Sequence, residues 1–151
     1  MTSDRSICDL TATELARAIA RGELSSRAAV EAHLARIASL DTGVAAFVTV
    51  DTDGARRAAQ MCDAASAPIG PLHGVPVGIK DLTDTAGLAT TYGSVLFRDH
   101  VPVEDDLVVA RLRRAGAIII GKTNTPEFGF GAVCTNRLRG PTRNPFNLAL
   151  T

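Results

Sequence analysis

The sequence predicts an α/β fold: a helical lead-in, then strands of a central sheet flanked by helices. Two observations predict it. Stretches with helical apolar spacing alternate with short apolar, β-branched runs, and helix-then-strand repetition builds α/β layers. The run Ala117-Ile118-Ile119-Ile120 is moreover continuously apolar, the pattern of a strand buried on both faces in a parallel sheet. At 151 residues, 46% hydrophobic and 21% charged, the chain can bury one core and reads as one domain. Residues 1–65 form the helical region of that domain and 66–151 the first part of its α/β core.

In chain order, Thr11-Ala12-Thr13-Glu14 has the form of a capping box, with Thr11 as N-cap and Glu14 reaching back. Leu15 and Ile19 then share one helical face, and Gly22 closes the helix. Ser25 or Ser26 caps a second helix, whose inward stripe is Val30, Leu34 and Ile37. His33 lies beside that stripe at its solvent edge. Val44 to Val50 reads as a strand. Asp51 or Asp53 starts a helix to about Ala65, with Ala58 and Met61 expected inward, and Ser66-Ala67-Pro68 closes it. Nothing in residues 1–65 asks for chemistry.

Val75-Pro76-Val77-Gly78-Ile79 reads as a short buried strand bounded by Gly and Pro, and Lys80 ends it. An amine emerging from an apolar segment can lose its proton near neutral pH, because burial disfavours the ammonium form; a neutral lysine is a general base. On local sequence alone, a solvated lysine at a strand end is the commoner case. Asp81 to Gly87 has turn composition, and Gly93-Ser94 falls in another irregular segment. Glu104-Asp105-Asp106 follow Pro102 and are placed to cap a helix and favour its positive end. Leu107, Val108 and Leu112 are expected to face inward on that helix. Arg111, Arg113 and Arg114 complement its C-terminal dipole, and Gly116 stops it.

Gly116 to Thr123 matches the letters of a phosphate-binding loop, G-x-x-x-x-G-K-[ST]. That loop needs a strand before its first glycine and a flexible segment between the two. Here a helix precedes Gly116, and three isoleucines fill the gap; such a β-branched run is a strand, not a cradle. Nucleotide binding is therefore rejected. Asn124-Thr125-Pro126-Glu127 reads as a helix start, with Thr125 as N-cap and Pro126 at the first position. It lies beyond the C-terminal end of a buried strand, where α/β sheets form their crevices. In Phe128-Gly129-Phe130-Gly131, the glycines let a ligand approach the backbone and the phenylalanines supply an apolar wall. Equally, the two phenylalanines could pack the core.

Composition excludes several classes. Formal net charge is zero and tryptophan is absent, which speaks against a nucleic-acid surface. Cys8, Cys62 and Cys134 are widely spaced and read as free thiols in a reducing cytoplasm, not a disulfide or zinc framework. Met1 to Leu10 has no targeting signature, and no apolar run reaches membrane-spanning length. No metal or cofactor is called for.

The segment Gly70-Pro71-Leu72-His73-Gly74-Val75-Pro76-Val77-Gly78-Ile79-Lys80-Asp81 resembles the catalytic-lysine segment of the amidase signature family. The resemblance continues through Thr90-Thr91-Tyr92-Gly93-Ser94, Glu104-Asp105-Asp106, Gly121 to Phe128 and Gly140-Pro141-Thr142-Arg143-Asn144-Pro145, in the family's order and spacing. It covers about half the chain strongly. It implies a mixed central sheet and a Ser–cis-Ser–Lys triad in which Lys80 is the base. It also implies that Phe128 to Gly131 line the acyl side of a site for a small-molecule amide. Arg137 and Arg139 stand where relatives often carry proline and an apolar or aromatic residue, which bears on substrate preference. In the family a Gly/Ser-rich loop with both serines follows the segment matching Thr142 to Thr151, and residues 1–151 contain no such loop. The 151-residue chain is therefore expected to be inactive alone, and to need a C-terminal portion or a second subunit. The competing expectation is a non-catalytic α/β module that binds a partner.

Overall fold

The computed structural model describes residues 6–151. Residues 1–5, the first half of the stretch read as lacking a targeting signature, lie outside the described residues. Helix α1 (Ala12–Ala20) starts at the predicted capping box: the Thr11 hydroxyl accepts from the Glu14 N–H and the Glu14 carboxylate accepts from the Thr11 N–H. Leu15 and Ile19 are buried as expected. Helix α2 (Ser26–Val44) is capped by Ser25, whose hydroxyl accepts from the Ala28 N–H. His33 is half-buried and its Nδ1 lies 2.8 Å from the Ala29 carbonyl. Strand β1 (Phe47–Val50) is shorter than the Val44–Val50 expected: α2 runs through Val44, and Ala45 reverses the chain in the left-handed region at φ 55°. Helix α3 (Thr52–Ala64) is capped by Asp51.

Strand β2 (Pro76–Lys80) leads into a long irregular segment, then helix α4 (Leu107–Arg114) and strand β3 (Ile118–Thr123). The sheet order is β1-β3-β2. β2 pairs parallel with β3 and β1 pairs antiparallel with it, so the sheet is mixed. The strand assigned between Gly116 and Gly121 is real: Ile118, Ile119 and Ile120 are buried and Gly116 ends α4 at φ 89°.

Ile118 and Ile120 pack against Val30 and Leu34 of α2 and Ala55, Ala59 and Cys62 of α3. Ile119 faces the other way, with Ile79 and with Val109 of α4. α1 is anchored separately, by Leu15 and Ile19 against Ala29 and Val75. Three inward assignments are corrected. Met61 is exposed because the inward stripe of α3 is Ala55, Ala59 and Cys62, small residues that let the helix sit close to α2. Leu107 and Val108 are exposed because the short α4 rests on Val109, with Leu112 partly buried one turn on.

A bulge breaks the pairing of β2 with β3. Val77 opposes Ile119, but Gly78 opposes Gly121, so Ile120 is an extra residue. Gly121 stands at φ 153°, and a Cβ there would lie 2.2 Å from the Thr49 carbonyl oxygen. Only glycine can pass β1 so closely. Beyond the bulge, Lys122 opposes Ile79 and lies on its face of the sheet, whereas unbroken alternation from Ile120 would turn it toward α2 and α3.

Candidate active site

Lys80 is the last residue of β2 and opposes Thr123. The ladder continues one step further, the Asp81 N–H donating to the Thr123 carbonyl at 2.9 Å. Ile79 and Asp81 are buried and Lys80 between them is exposed. The expectation of a dry amine at position 80 is corrected: the pleat turns Lys80 to the face opposite Ile79, and no described residue covers it there.

The enclosed lysine is Lys122, with 0% of its surface exposed. It donates to the Thr83 carbonyl, and to the Thr85 and Thr90 hydroxyls at 2.9 Å each. Three acceptors match the three protons of an ammonium group. The hydroxyls pass the chain on, Thr85 donating to the Thr83 carbonyl and Thr90 to the Leu88 carbonyl. Burial lowers the Lys122 pKa to about 8, against the opposing attraction of Asp81, Asp84 and Asp105. Asp81 is also fully buried. Its carboxylate accepts from the Thr91 hydroxyl and from the Thr91 N–H. Burial raises its pKa, with these bonds and Lys122 pulling the other way.

These contacts bring the two predicted site segments together. The Tyr92 N–H donates to the Asp81 carbonyl at 2.9 Å, and the Phe128 N–H donates to the Tyr92 carbonyl at 2.7 Å. Leu82 lies against the second segment: a Cβ on Gly129 would stand 2.7 Å from its Cδ1. Gly93, at φ 67°, passes the Thr125–Glu127 backbone so closely that a Cβ would meet the Thr125 oxygen at 3.0 Å.

Phe128 and Phe130 are 55% and 92% exposed, so neither packs into the core that the described residues form. The Phe128 ring meets only the edge of an aromatic group. Its centroid is 6.0 Å from Phe97, which is 5.1 Å from Tyr92, both pairs perpendicular. His100 stacks on Tyr92 at 5.8 Å. The Tyr92 hydroxyl donates to Asp84, which pushes its pKa up to about 12. The helix expected from Thr125 is a single 3-10 turn, Glu127–Gly129, with Pro126 at its N-cap and Phe128 left-handed at φ 50°. Thr125 is no cap, because its hydroxyl donates to the Pro126 carbonyl. The following loop is tied to β3 by Asn124, which donates to the Gly140 carbonyl and the Thr142 hydroxyl. Arg139 pairs with Asp41 at 3.0 Å.

Lys122, Asp81 and Tyr92 escaped sequence reasoning. One signal pointed to the first: Lys80 and Lys122 are the only lysines among the 16 Lys and Arg residues. Lysine is the cation whose pKa shifts on burial, so its restriction to one position in each of two neighbouring strands is informative. No group of three or more His, Cys, Asp or Glu side chains that could hold a metal ion occurs among the described residues. No described helix is long and apolar enough to cross a membrane.

The Amidase family model matches residues 28–151. A glutamyl-tRNA(Gln) amidotransferase subunit of Salinispora tropica is 45% identical over 146 residues, covering 95% of this chain and 30% of the relative. Its counterpart in Streptomyces coelicolor is 43% identical over 145 residues, 94% of this chain and 29% of the relative. Among solved structures, a fatty acid amide hydrolase superposes with a TM-score of 0.90 at 29% identity, over 98% of this chain and 27% of its own. The peptide amidase of Stenotrophomonas maltophilia does so with a TM-score of 0.85 at 32% identity, over 93% of this chain and 31% of its own. The chain thus spans less than a third of the length of these relatives. With the lysine segment, the Phe-Gly segment and the sheet joining them all inside the matched region, the chain belongs to the amidase signature family.

Proposed function

We propose that this chain supplies the base and part of the acyl-side wall of an amide hydrolase, with Lys80 as the catalytic lysine and Phe128, Gly129, Phe130 and Gly131 as the substrate-binding segment. The observation that carries this is the relay from Asp81 through Tyr92 to Phe128, which ties the residue after Lys80 to the exposed phenylalanine. In the reaction the family resemblance implies, Lys80 takes the proton of a nucleophilic serine through a bridging serine. The serine oxygen bonds to the amide carbon, and the C–N bond breaks as the proton reaches the leaving nitrogen. Water then cleaves the acyl ester to give the acid and free the serine. Neither serine lies in a Gly/Ser-rich loop of residues 1–151. Further protein packed over this face would enclose Lys80, as the role of base in a water-excluded site requires.

The exposed apolar side chains Phe130, Phe146 and Leu150 support a cover of that kind, from a C-terminal portion or a second subunit. The isolated chain should then be inactive; an acyl adduct formed by the purified 1–151 chain with an amide-directed covalent probe would count against this. The thiols of Cys8, Cys62 and Cys134 are free, which supports a reducing, cytoplasmic setting.

The test joins this chain to the remaining portion of the Salinispora tropica relative. Ammonia release is measured from glutamine, a small aliphatic amide and an aryl amide. The joined chain should release ammonia from at least one, and Lys80→Ala should lower the rate by roughly 100-fold to 10,000-fold. A Lys80→Ala chain that stays within threefold of the parent removes Lys80 from the mechanism.

A further inference from the structure

Lys122 cannot itself meet a substrate, since no part of it reaches solvent. Its position is nonetheless specified at considerable cost. A bulge and a glycine at φ 153° turn it onto the face of Ile79, and an ammonium group is taken wholly out of water. What it holds there is the first part of the irregular segment after β2, through Thr83, Thr85 and Thr90. The last of these is followed by Thr91 and Tyr92, the residues that engage Asp81 and Phe128.

We propose that Lys122 is a positioning residue for the candidate site: its three-point grip on Thr83, Thr85 and Thr90 fixes the segment between Lys80 and Tyr92, and so sets where Tyr92 presents its carbonyl to Phe128. This rests on the reading of Lys80 and Phe128–Gly131 as the site. The charged groups facing Lys122 are Asp81 at the end of β2, Asp84 in the same segment and Asp105 ahead of α4. Asp84 also accepts the Tyr92 hydroxyl, so the charge on Lys122 and the environment of Tyr92 are coupled through one carboxylate. A neutral amine has two donors for three acceptors, so on deprotonation one threonine hydroxyl must turn and donate to the nitrogen.

Tyr92 is the only tyrosine and the chain has no tryptophan, so its emission and the dichroism on the long-wavelength side of the phenylalanine bands report this place alone. The experiment uses the 151-residue chain without substrate and follows both signals from pH 7 to 10. A His100→Gln background is included to remove the stacked imidazole. The parent should show a step centred near pH 8, the value to which burial lowers Lys122. Lys122→Arg, permanently charged, should lose the step and keep the low-pH signal. Lys122→Met should lose the step with a different, constant signal. Thr85→Val removes one acceptor but no charge, and should move the step to lower pH. A step that persists in Lys122→Met, or no step in the parent, overturns the proposal. Hydrolysis plays no part in this readout, so its failure would leave the Lys80 mechanism standing, and an inactive joined chain would leave this result standing.

Discussion

The Phe128 N–H donates to the Tyr92 carbonyl at 2.7 Å, and both residues sit in the left-handed region, at φ 50° and 52°. For non-glycine residues that conformation costs of order 1–3 kcal/mol each and persists only where the surroundings impose it. Here the hydrogen bond and the Phe97 ring are those surroundings. Such strain concentrates at functional sites, and Phe128 belongs to the segment proposed to bind substrate.

Comparing two truncations at position 128 isolates the backbone cost. Phe128→Gly and Phe128→Ala remove the same ring contact with Phe97, but only glycine adopts φ 50° without strain. The glycine variant should be the more stable by about 1 kcal/mol in urea denaturation. An alanine variant of equal or greater stability would mean that the left-handed turn is not held in solution.

Gly121 offers the sharper backbone test. Alanine there would place Cβ 2.2 Å from the Thr49 oxygen, at φ 153°. Strain and overpacking together should cost about 3 kcal/mol or more. Gly87, at φ 77° with open space around it, is the control: alanine there meets only the conformational cost, about 1 kcal/mol. Denaturation midpoints of the two variants should differ accordingly, and equal losses would refute the close approach of β3 to its sheet neighbour β1 at Gly121.

Much of the scaffold was legible because its signals are local. Thr11 and Glu14 form the capping box their spacing announces, and the Gly116–Gly121 stretch is a strand because three isoleucines admit little else. What was illegible depends on contacts distant in sequence. The face of Lys122 is decided by a one-residue bulge, which inverts the alternation read along β3. The exposure of Lys80 depends on what lies over the sheet edge. Met61 was misplaced because alanines carry the inward stripe of α3, and alanine marks a buried face and an exposed one alike. In the candidate site, both segments were proposed from their letters, but the Tyr92 relay between them has no sequence signature.

Thiol labelling checks the packing of α3. Cys62 is buried at 5% exposure and burial raises its pKa, whereas Cys8 and Cys134 are only half-buried. In the native chain iodoacetamide should alkylate Cys8 and Cys134 first, and Cys62 only on unfolding. Mass spectrometry of tryptic fragments distinguishes the three. Early modification of Cys62 would show that α3 does not close over Ile118 and Ile120.

Titration of the buried lysine should also leave a mark on stability, and its sign follows from the proton count. The unfolded amine has a pKa near 10.5 and the folded one about 8. Between those values the unfolded chain binds more protons than the folded one, so stability rises with pH across that window. Asp81 acts the opposite way at the acid end. Its folded pKa is raised above 3.8, so the folded chain holds the proton longer, and stability falls as pH climbs from about 3.8 through the folded value. Lys122→Met should abolish the alkaline rise and leave the acid-side fall in place. Urea unfolding of parent and variant at half-unit intervals from pH 7 to 10.5 measures this as a difference, in which titrating groups not coupled to Lys122 cancel. The parent should gain on the variant steadily above pH 8; parallel curves would mean that Lys122 is solvated, and that its grip on Thr85 and Thr90 does not exist.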